Sequence, residues 1–384
     1  MSTQAFLTRR AFLQSTALTA GALLLPRLPS QAADQSAVPA TRLARLATGA
    51  NVCRWFRHPR SETAAHFGDY LGDAEAAFIA AIGLKHVRLC VAPKLIMDAA
   101  TGEPLADRLP FLDAAIARLQ RAGLLVVVDI HNEDREAELN PGWQAAFVKF
   151  WSELAKRLSA FDPELTVLEL INEPVFAGRE HEWPPFSERL VAAIRAVAPA
   201  HTILTSGANW GGIDGLRNLT PLADRNVVYS LHCYDPFPFT HQGATWAGET
   251  VKPLRGVPYP SSPEAVEPLL ADLEAHPDSK GMLLNYGRER WNKERLAARF
   301  QQGIAWGARH GVPLYCGEFG VFPRVAQPEH RANWFRDFGD VLQEHRIGWA
   351  VWGWDEGFGL NRRLENGKPV VDAVVAQALG LRAG

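Results

Sequence analysis

Two glutamates carry the chemistry most open to reading in this chain: Glu173 in Asn172-Glu173-Pro174, and Glu318 in Gly317-Glu318-Phe319-Gly320. Each closes a short apolar run, where an unpaired carboxylate is costly to bury. One such residue is ordinarily half of a buried ion pair. Two that face each other form the pair that cleaves a glycosidic bond, one carboxyl as general acid/base and the other as nucleophile. Other run ends deliver Arg88, His131, His232, Tyr234 and Trp352, with Trp210, Trp354 and Asp355 close behind. Singly, each has a plainer reading: a lone histidine in an apolar run is a satisfied core group, Arg88 a structural ion pair, Trp352 core. Asp129-Ile130-His131 with His232 could in principle hold a cation. No His-x-His follows the first run and no His-Glu-x-x-His occurs, so neither a metal nor a cofactor is expected.

The elements that must position these residues alternate along the chain. Strand candidates cover 49–55, 86–91, 124–129, 166–171, 202–206, 227–232, 314–318 and 349–352. They are short, apolar on both faces and rich in Val, Leu and Ile, as in a parallel sheet covered by helices. Amphipathic stretches at 73–82, 110–122, 143–158, 186–197, 293–310 and 329–344 separate them, with shorter ones at 212–219 and 372–379. Gly83, Gly123 and Gly311 each stand between a helix and the next strand, where a left-handed cap favours glycine. The pattern predicts an α/β protein, one (β/α)8 TIM barrel over 48–384, with every polar group above at a strand's C-terminal end, where such barrels keep their active sites. No Gly-x-Gly-x-x-Gly supports a doubly wound sheet instead. After the sixth strand comes an insertion of about 60 residues, stiffened by prolines and carrying Phe237, Phe239, Trp246 and Tyr259. It reads as a lid or binding wall, with Trp246 or Trp210 stacking on a sugar and Trp354 a third rim platform.

Taken in order along the barrel, Arg88, His131, Asn172, Glu173, His232, Tyr234, Glu318 and Trp352 resemble the hallmark residues of glycoside hydrolase family 5, the cellulase-type family of the large retaining clan. The resemblance covers about 48–355. It implies Glu173 as acid/base and Glu318 as nucleophile, with Arg88 and the Tyr234 hydroxyl supporting Glu318 and His232 orienting Glu173. It implies further that Asn172 and His131 bind sugar hydroxyls and that Trp352 stacks under the sugar. The implied activity is hydrolysis of a β-linked glucan, with endo-β-1,4-glucanase as the default; β-1,3-glucanase, β-mannanase and β-glucosidase-like specificities share the same residues. A non-catalytic glycan-binding barrel and a metal-dependent barrel hydrolase are the alternatives of another class.

Composition agrees with a globular enzyme. The chain has 384 residues, 47% apolar and 21% charged, with a formal charge of −2. That is too apolar for disorder, and no basic stripe gives nucleic acid a footprint. Cys53, Cys90, Cys233 and Cys316 are too few for a disulfide scaffold and lie in or near apolar runs, so buried thiols are expected. Twelve Trp are more than core packing alone asks for, and point to flat binding faces as well. Residues 1–32 read as an export signal: Arg9-Arg10 before Phe12-Leu13, a short apolar run, then small residues around Ala32 and Ala33. That run is too short to span a membrane. Residues 33–47 read as a loose leader. The expectation is an exported, periplasmic or extracellular monomer, delivered by the twin-arginine machinery.

Overall fold

The computed structural model describes residues 37–355 and 357–383. The expected export signal at 1–32 and the start of the expected leader lie outside the described residues. Eight strands close a parallel barrel in chain order: β1 Thr48–Phe56, β2 His86–Val91, β3 Leu125–Ile130, β4 Thr166–Glu169, β5 Thr202–Ser206, β6 Val227–His232, β7 Leu314–Glu318 and β8 Gly348–Val351. β1 pairs with β8 as well as with β2, which leaves no open edge. The fold is the expected (β/α)8 barrel. Helices such as Asp73–Ala81, Leu109–Arg121, Pro141–Leu158 and Trp183–Arg195 cover it, and beyond the insertion Lys293–His310 and Pro328–Glu344 complete the ring. Gly83, Gly123 and Gly311 take φ of 108°, 82° and 62°, the left-handed caps their positions suggest. No helix among the described residues is long and apolar enough to cross a membrane.

Three local features depart from the sequence reading. Part of the expected leader is built into the barrel. Helix Ala40–Arg45 sits at the N-terminal end of the strands, and the buried Arg42 bonds Glu164 at 2.9 Å, Ala200 O at 2.6 Å and Thr202 Oγ1 at 2.9 Å. Val38 and Leu46 join Leu125, Val127, Val167, Leu204, Val228, Tyr315 and Ala350 in one apolar cluster that plugs this end. The insertion after β6 is not one long loop: it contains Phe237–Thr240, Pro263–Val266 and a 13-residue helix, Pro277–Glu289. Two glycines mask that helix in the sequence. Gly287 is required by close packing, because a Cβ there would lie 2.6 Å from Val266 Cγ2 and 3.1 Å from Ser262 O. Finally, Arg363–Glu365 and Lys368–Val370 form an antiparallel hairpin outside the expected alternation. Its turn is Asn366-Gly367, both at positive φ, a pairing of residues that favours such hairpins.

Candidate active site

The arrangement is built around Arg88, near the middle of β2 and fully buried. All of its donors are taken. Nε and Nη2 close a bidentate pair with Glu169 at 2.6 and 2.9 Å, and Nη2 also reaches Asn172 Oδ1 at 2.8 Å. Nη1 reaches Asn51 Oδ1 at 2.8 Å and Glu318 Oε1 at 2.9 Å. Asp129 Oδ2 lies 3.2 Å from Nη2. Burial disfavours the charged guanidinium, but Asp129 and Glu169 outweigh it and hold Arg88 well above its ordinary value. The same burial pushes Asp129 up to about 6 and Glu169 up to about 7 against the pull of Arg88. Asn51 locks the hub to the barrel by donating to Gly317 O at 2.9 Å, Ala350 O at 3.3 Å and Val351 O at 3.2 Å.

Around this hub the expected residues come together. Glu318, at the end of β7, accepts from Arg88 on Oε1 and from the Tyr234 hydroxyl on Oε2 at 3.1 Å. Burial, then the charges of Glu318 and Glu173, raise the Tyr234 phenol well above its ordinary value, so it stays a donor. His232 Nδ1 lies 2.8 Å from Glu173 Oε1 and 3.7 Å from Glu318 Oε2. Burial would push this imidazole down, but Glu318 and Glu173 hold it above the usual histidine value. Gly317 makes room for the ring: a Cβ there would come within 2.7 Å of His232 Nε2. Glu173, His232 and Glu318 offer atoms that all lie within 4.8 Å of one another.

His131 Nδ1 lies 2.7 Å from Asp129 Oδ2, and its ring stacks against Trp352 with centroids 5.7 Å apart. Burial, reinforced by Arg57, drives His131 well below its ordinary value, so it stays neutral. With its proton on Nδ1, it offers Nε2 as an acceptor. Asn172 gives its Oδ1 to Arg88 and keeps its NH2 for the cleft. Trp352 lines the same cleft with the Arg57 guanidinium 5.0 Å over its ring. The cleft has a volume of about 730 Å³ and contains Glu173, Glu318, His131, Asn172, His232, Tyr234 and Trp352.

Trp210, Trp246 and Phe237 also line it, and they are the exposed large aromatics of the described residues, at 52%, 63% and 38%. Trp246 stands on the insertion with its edge to Phe322, centroids 4.8 Å apart. Trp354 does not belong to the rim. It is fully buried, its indole donates to Glu75 Oε1 at 2.8 Å, and its ring packs near Phe78. A carboxylate for the indole N–H makes that burial cheap, so the chain turns this Trp away from the cleft. Asp355 is likewise structural, accepting from Cys53 N, Arg54 N and the Tyr70 hydroxyl. Sequence reasoning misses Glu169, Asn51 and Arg135. Of these Glu169 has a signal: a carboxylate inside the apolar run 166–171 needs a buried cation.

A closed (β/α)8 barrel with paired carboxylates across its C-terminal mouth is the architecture of a retaining glycoside hydrolase. The cellulase family model, glycosyl hydrolase family 5, matches residues 47–357, and the chain belongs to that family. It is 29% identical over 337 residues to endoglucanase C of Acetivibrio thermocellus, covering 85% of this chain and 96% of that one. Cellodextrinase A of Ruminococcus flavefaciens is 28% identical, with 70% of this chain and 74% of the relative covered. Among solved structures, Thermotoga maritima Cel5A in complex with cellobiose superposes with a TM-score of 0.72 at 25% identity, over 88% of this chain and 98% of that one.

Proposed function

We propose that this hydrolase is an endo-β-1,4-glucanase working by double displacement, with Glu173 as acid/base and Glu318 as nucleophile. The observation that carries the mechanism is the closeness of the two carboxyl groups, one oxygen of each lying within 4.8 Å of one oxygen of the other. Inverting enzymes hold theirs about 6.5–9.5 Å apart to admit a water, whereas about 5–5.5 Å leaves room only for direct attack. Glu318 attacks the anomeric carbon while Glu173 gives its proton to the departing glycosidic oxygen. The sugar is then bound to Glu318 as an ester. A water next gives its proton to Glu173 and its oxygen to the anomeric carbon, releasing Glu318 and a product of unchanged configuration.

The surroundings serve these steps. Arg88 and Tyr234 bond the two oxygens of Glu318, fixing its direction and stabilising the leaving carboxylate in the second step. His232 orients Glu173. Asn172 NH2 and His131 Nε2 are placed to bind hydroxyls of the reacting sugar, the former at the 2-position, where hydrogen bonds strengthen in the transition state. The substrate reading is supported by the relatives named as endoglucanases. A panel of β-1,4-glucan, β-1,3-glucan, mannan and xylan, with product sizing and anomer detection, tests it. Internal cuts in β-1,4-glucan with retention are expected; net inversion, or a preference for another linkage, rejects it. The Arg9-Arg10 segment supports action after export, beyond the inner membrane. Accumulation of uncleaved chain in a strain lacking twin-arginine transport is the expected signature, and unchanged processing there refutes this route.

A further inference from the structure

The turn that carries Glu173 is gripped from outside the barrel. Beyond β3 the chain runs Glu133-Asp134-Arg135-Glu136-Ala137-Glu138, a charge run that by sequence reads as solvated surface. Glu138 is instead fully buried. Its Oε2 accepts from Val175 N at 2.9 Å, and its Oε1 accepts from Asn132 Nδ2 at 3.1 Å and Arg135 Nη1 at 3.0 Å. Arg135 Nη1 also donates to the carbonyl of Glu173 at 3.0 Å. Glu138 and Arg135 together therefore hold the backbone on both sides of Pro174. Glu173 itself has a φ of 20°, a conformation that persists only when its surroundings over-determine it.

The same guanidinium lies 5.0 Å over the ring of Trp210. Trp210 is tied to the turn a second time, through its N–H to Pro174 O at 3.2 Å. Asn209 and Trp210 both have left-handed backbones, at φ of 63° and 64°. For a half-exposed tryptophan no burial compensates that strain, which is the pattern of a side chain held out for a ligand.

We propose that Arg135 is a positioning residue that couples the leaving-group sugar to its proton donor. The Trp210 face not covered by Arg135 receives the departing sugar, and the guanidinium behind it fixes the Glu173 turn. Binding energy gained on Trp210 is thereby spent on aligning the acid, a use that raises turnover and not only affinity. The proposal rests on Glu173 as the acid/base.

The test uses the full chain with Arg135→Met, Arg135→Lys, Trp210→Ala and the Met/Ala double variant. Substrates are cellotetraose, whose leaving group is a sugar needing a proton, and 2,4-dinitrophenyl β-cellobioside, whose leaving group needs neither sugar contact nor proton. Arg135→Met should lower kcat/KM on cellotetraose about 10- to 100-fold while changing the aryl substrate less than about 3-fold. The double variant should fall no more than about 3-fold below the weaker single one, since the two groups act as a unit. Arg135→Lys keeps a donor without the planar face, and should recover kcat while leaving KM raised. Equal losses on both substrates, or multiplicative losses in the double variant, overturn the proposal. If Arg135→Met does not fold, the Arg135→Lys split of kcat from KM decides the matter alone. Glu173→Ala with azide separates the two readings: retained aryl activity and a β-glycosyl azide product uphold the acid/base assignment, and their absence refutes that assignment before Arg135 is judged.

Discussion

The two carboxylates to which the proposed mechanism assigns the chemistry, Glu173 and Glu318, bring one oxygen each within 4.8 Å and are held in opposite ways. Glu318 belongs to the barrel interior: it ends a strand and is bonded by a guanidinium whose every donor is used. Glu173 stands beyond the last bonded residue of β4, keeps 18% of its side chain exposed, and is held by loops after β3 and β5. The difference follows from the chemistry. A nucleophile attacks one carbon from one direction in a fixed electrostatic field. An acid/base must serve a departing sugar in one step and a water in the next, so it sits at the rim, where both can reach it.

The sharpest way to break this comparison is at Glu318. Glu318→Gln is expected to cost at least about 10⁴-fold in kcat on cellotetraose and on the activated aryl cellobioside alike, because no leaving group compensates a missing nucleophile. Loss at Glu173, in contrast, should depend on the leaving group. Steady-state rates on the two substrates decide it. A Glu318→Gln variant within tenfold of the parent would mean that the buried carboxylate is not the attacking group.

Arg88→Met probes what holds the buried half. It leaves Asp129, Glu169 and Glu318 without their shared cation, and removing one partner of a buried charge network costs about 3–5 kcal/mol. Urea unfolding near neutral pH measures it. A cost under about 1 kcal/mol would show that the strands alone keep this half in place and that the network is incidental.

The same asymmetry governs how much of the molecule is legible in its sequence. Strand ends carry the two carboxylates and their nearest partners, so Asn172, Glu173, His232 and Glu318 stand out as polar residues where apolar runs stop, and the closed barrel follows from the runs themselves. Glu169 carries the same signal from inside its run, where a charge is harder to notice than at an end. The rim half is carried by loops. Arg135 and Glu138 sit in a charge run indistinguishable from solvated surface, and only the fold shows that Glu138 is buried. Trp354 misleads for the complementary reason: two residues beyond Trp352 it looks like a second platform, but Glu75, on a distant helix, draws its indole inward. The sequence marks Trp210 and Trp246 as candidates, whereas their exposure and their places in the cleft depend on how the loops pack.

Those two platforms sharpen the comparison at smaller scale. Trp246 stands on the insertion against Phe322 and Phe358 and is not tied to the Glu173 turn. Trp246→Ala is expected to raise KM for cello-oligosaccharides about 2- to 10-fold with kcat unchanged, the value of one aromatic face. Trp210→Ala should reduce kcat as well. Similar kcat losses in both variants would remove the distinction between a platform coupled to the acid and one that only binds.

The smallest effect is a pair of protonation states that pull stability in opposite directions. His232 faces Glu318 and Glu173 and is held above the usual histidine value, whereas His131, buried beside Asp129 and under the influence of Arg57, is held well below it. A raised value means that the folded protein binds the proton more tightly than the unfolded chain. The contribution of His232 is therefore complete below the unfolded value, near 6.5, and is lost as pH rises through the folded one. For His131 the sign reverses: the unfolded chain takes up a proton that the folded site refuses, so stability falls as pH drops below about 6.5. Imidazole ¹⁵N titrations should show His131 neutral at pH 5 and His232 still partly charged above 6.5. Correspondingly, His232→Gln should lose more stability at pH 5 than at pH 8, and His131→Gln should lose less at pH 5 than at pH 8. If both rings titrated together near 6.5, the carboxylate pair would not be imposing its charge on the histidine between them, and the two halves of the site would be electrostatically alike.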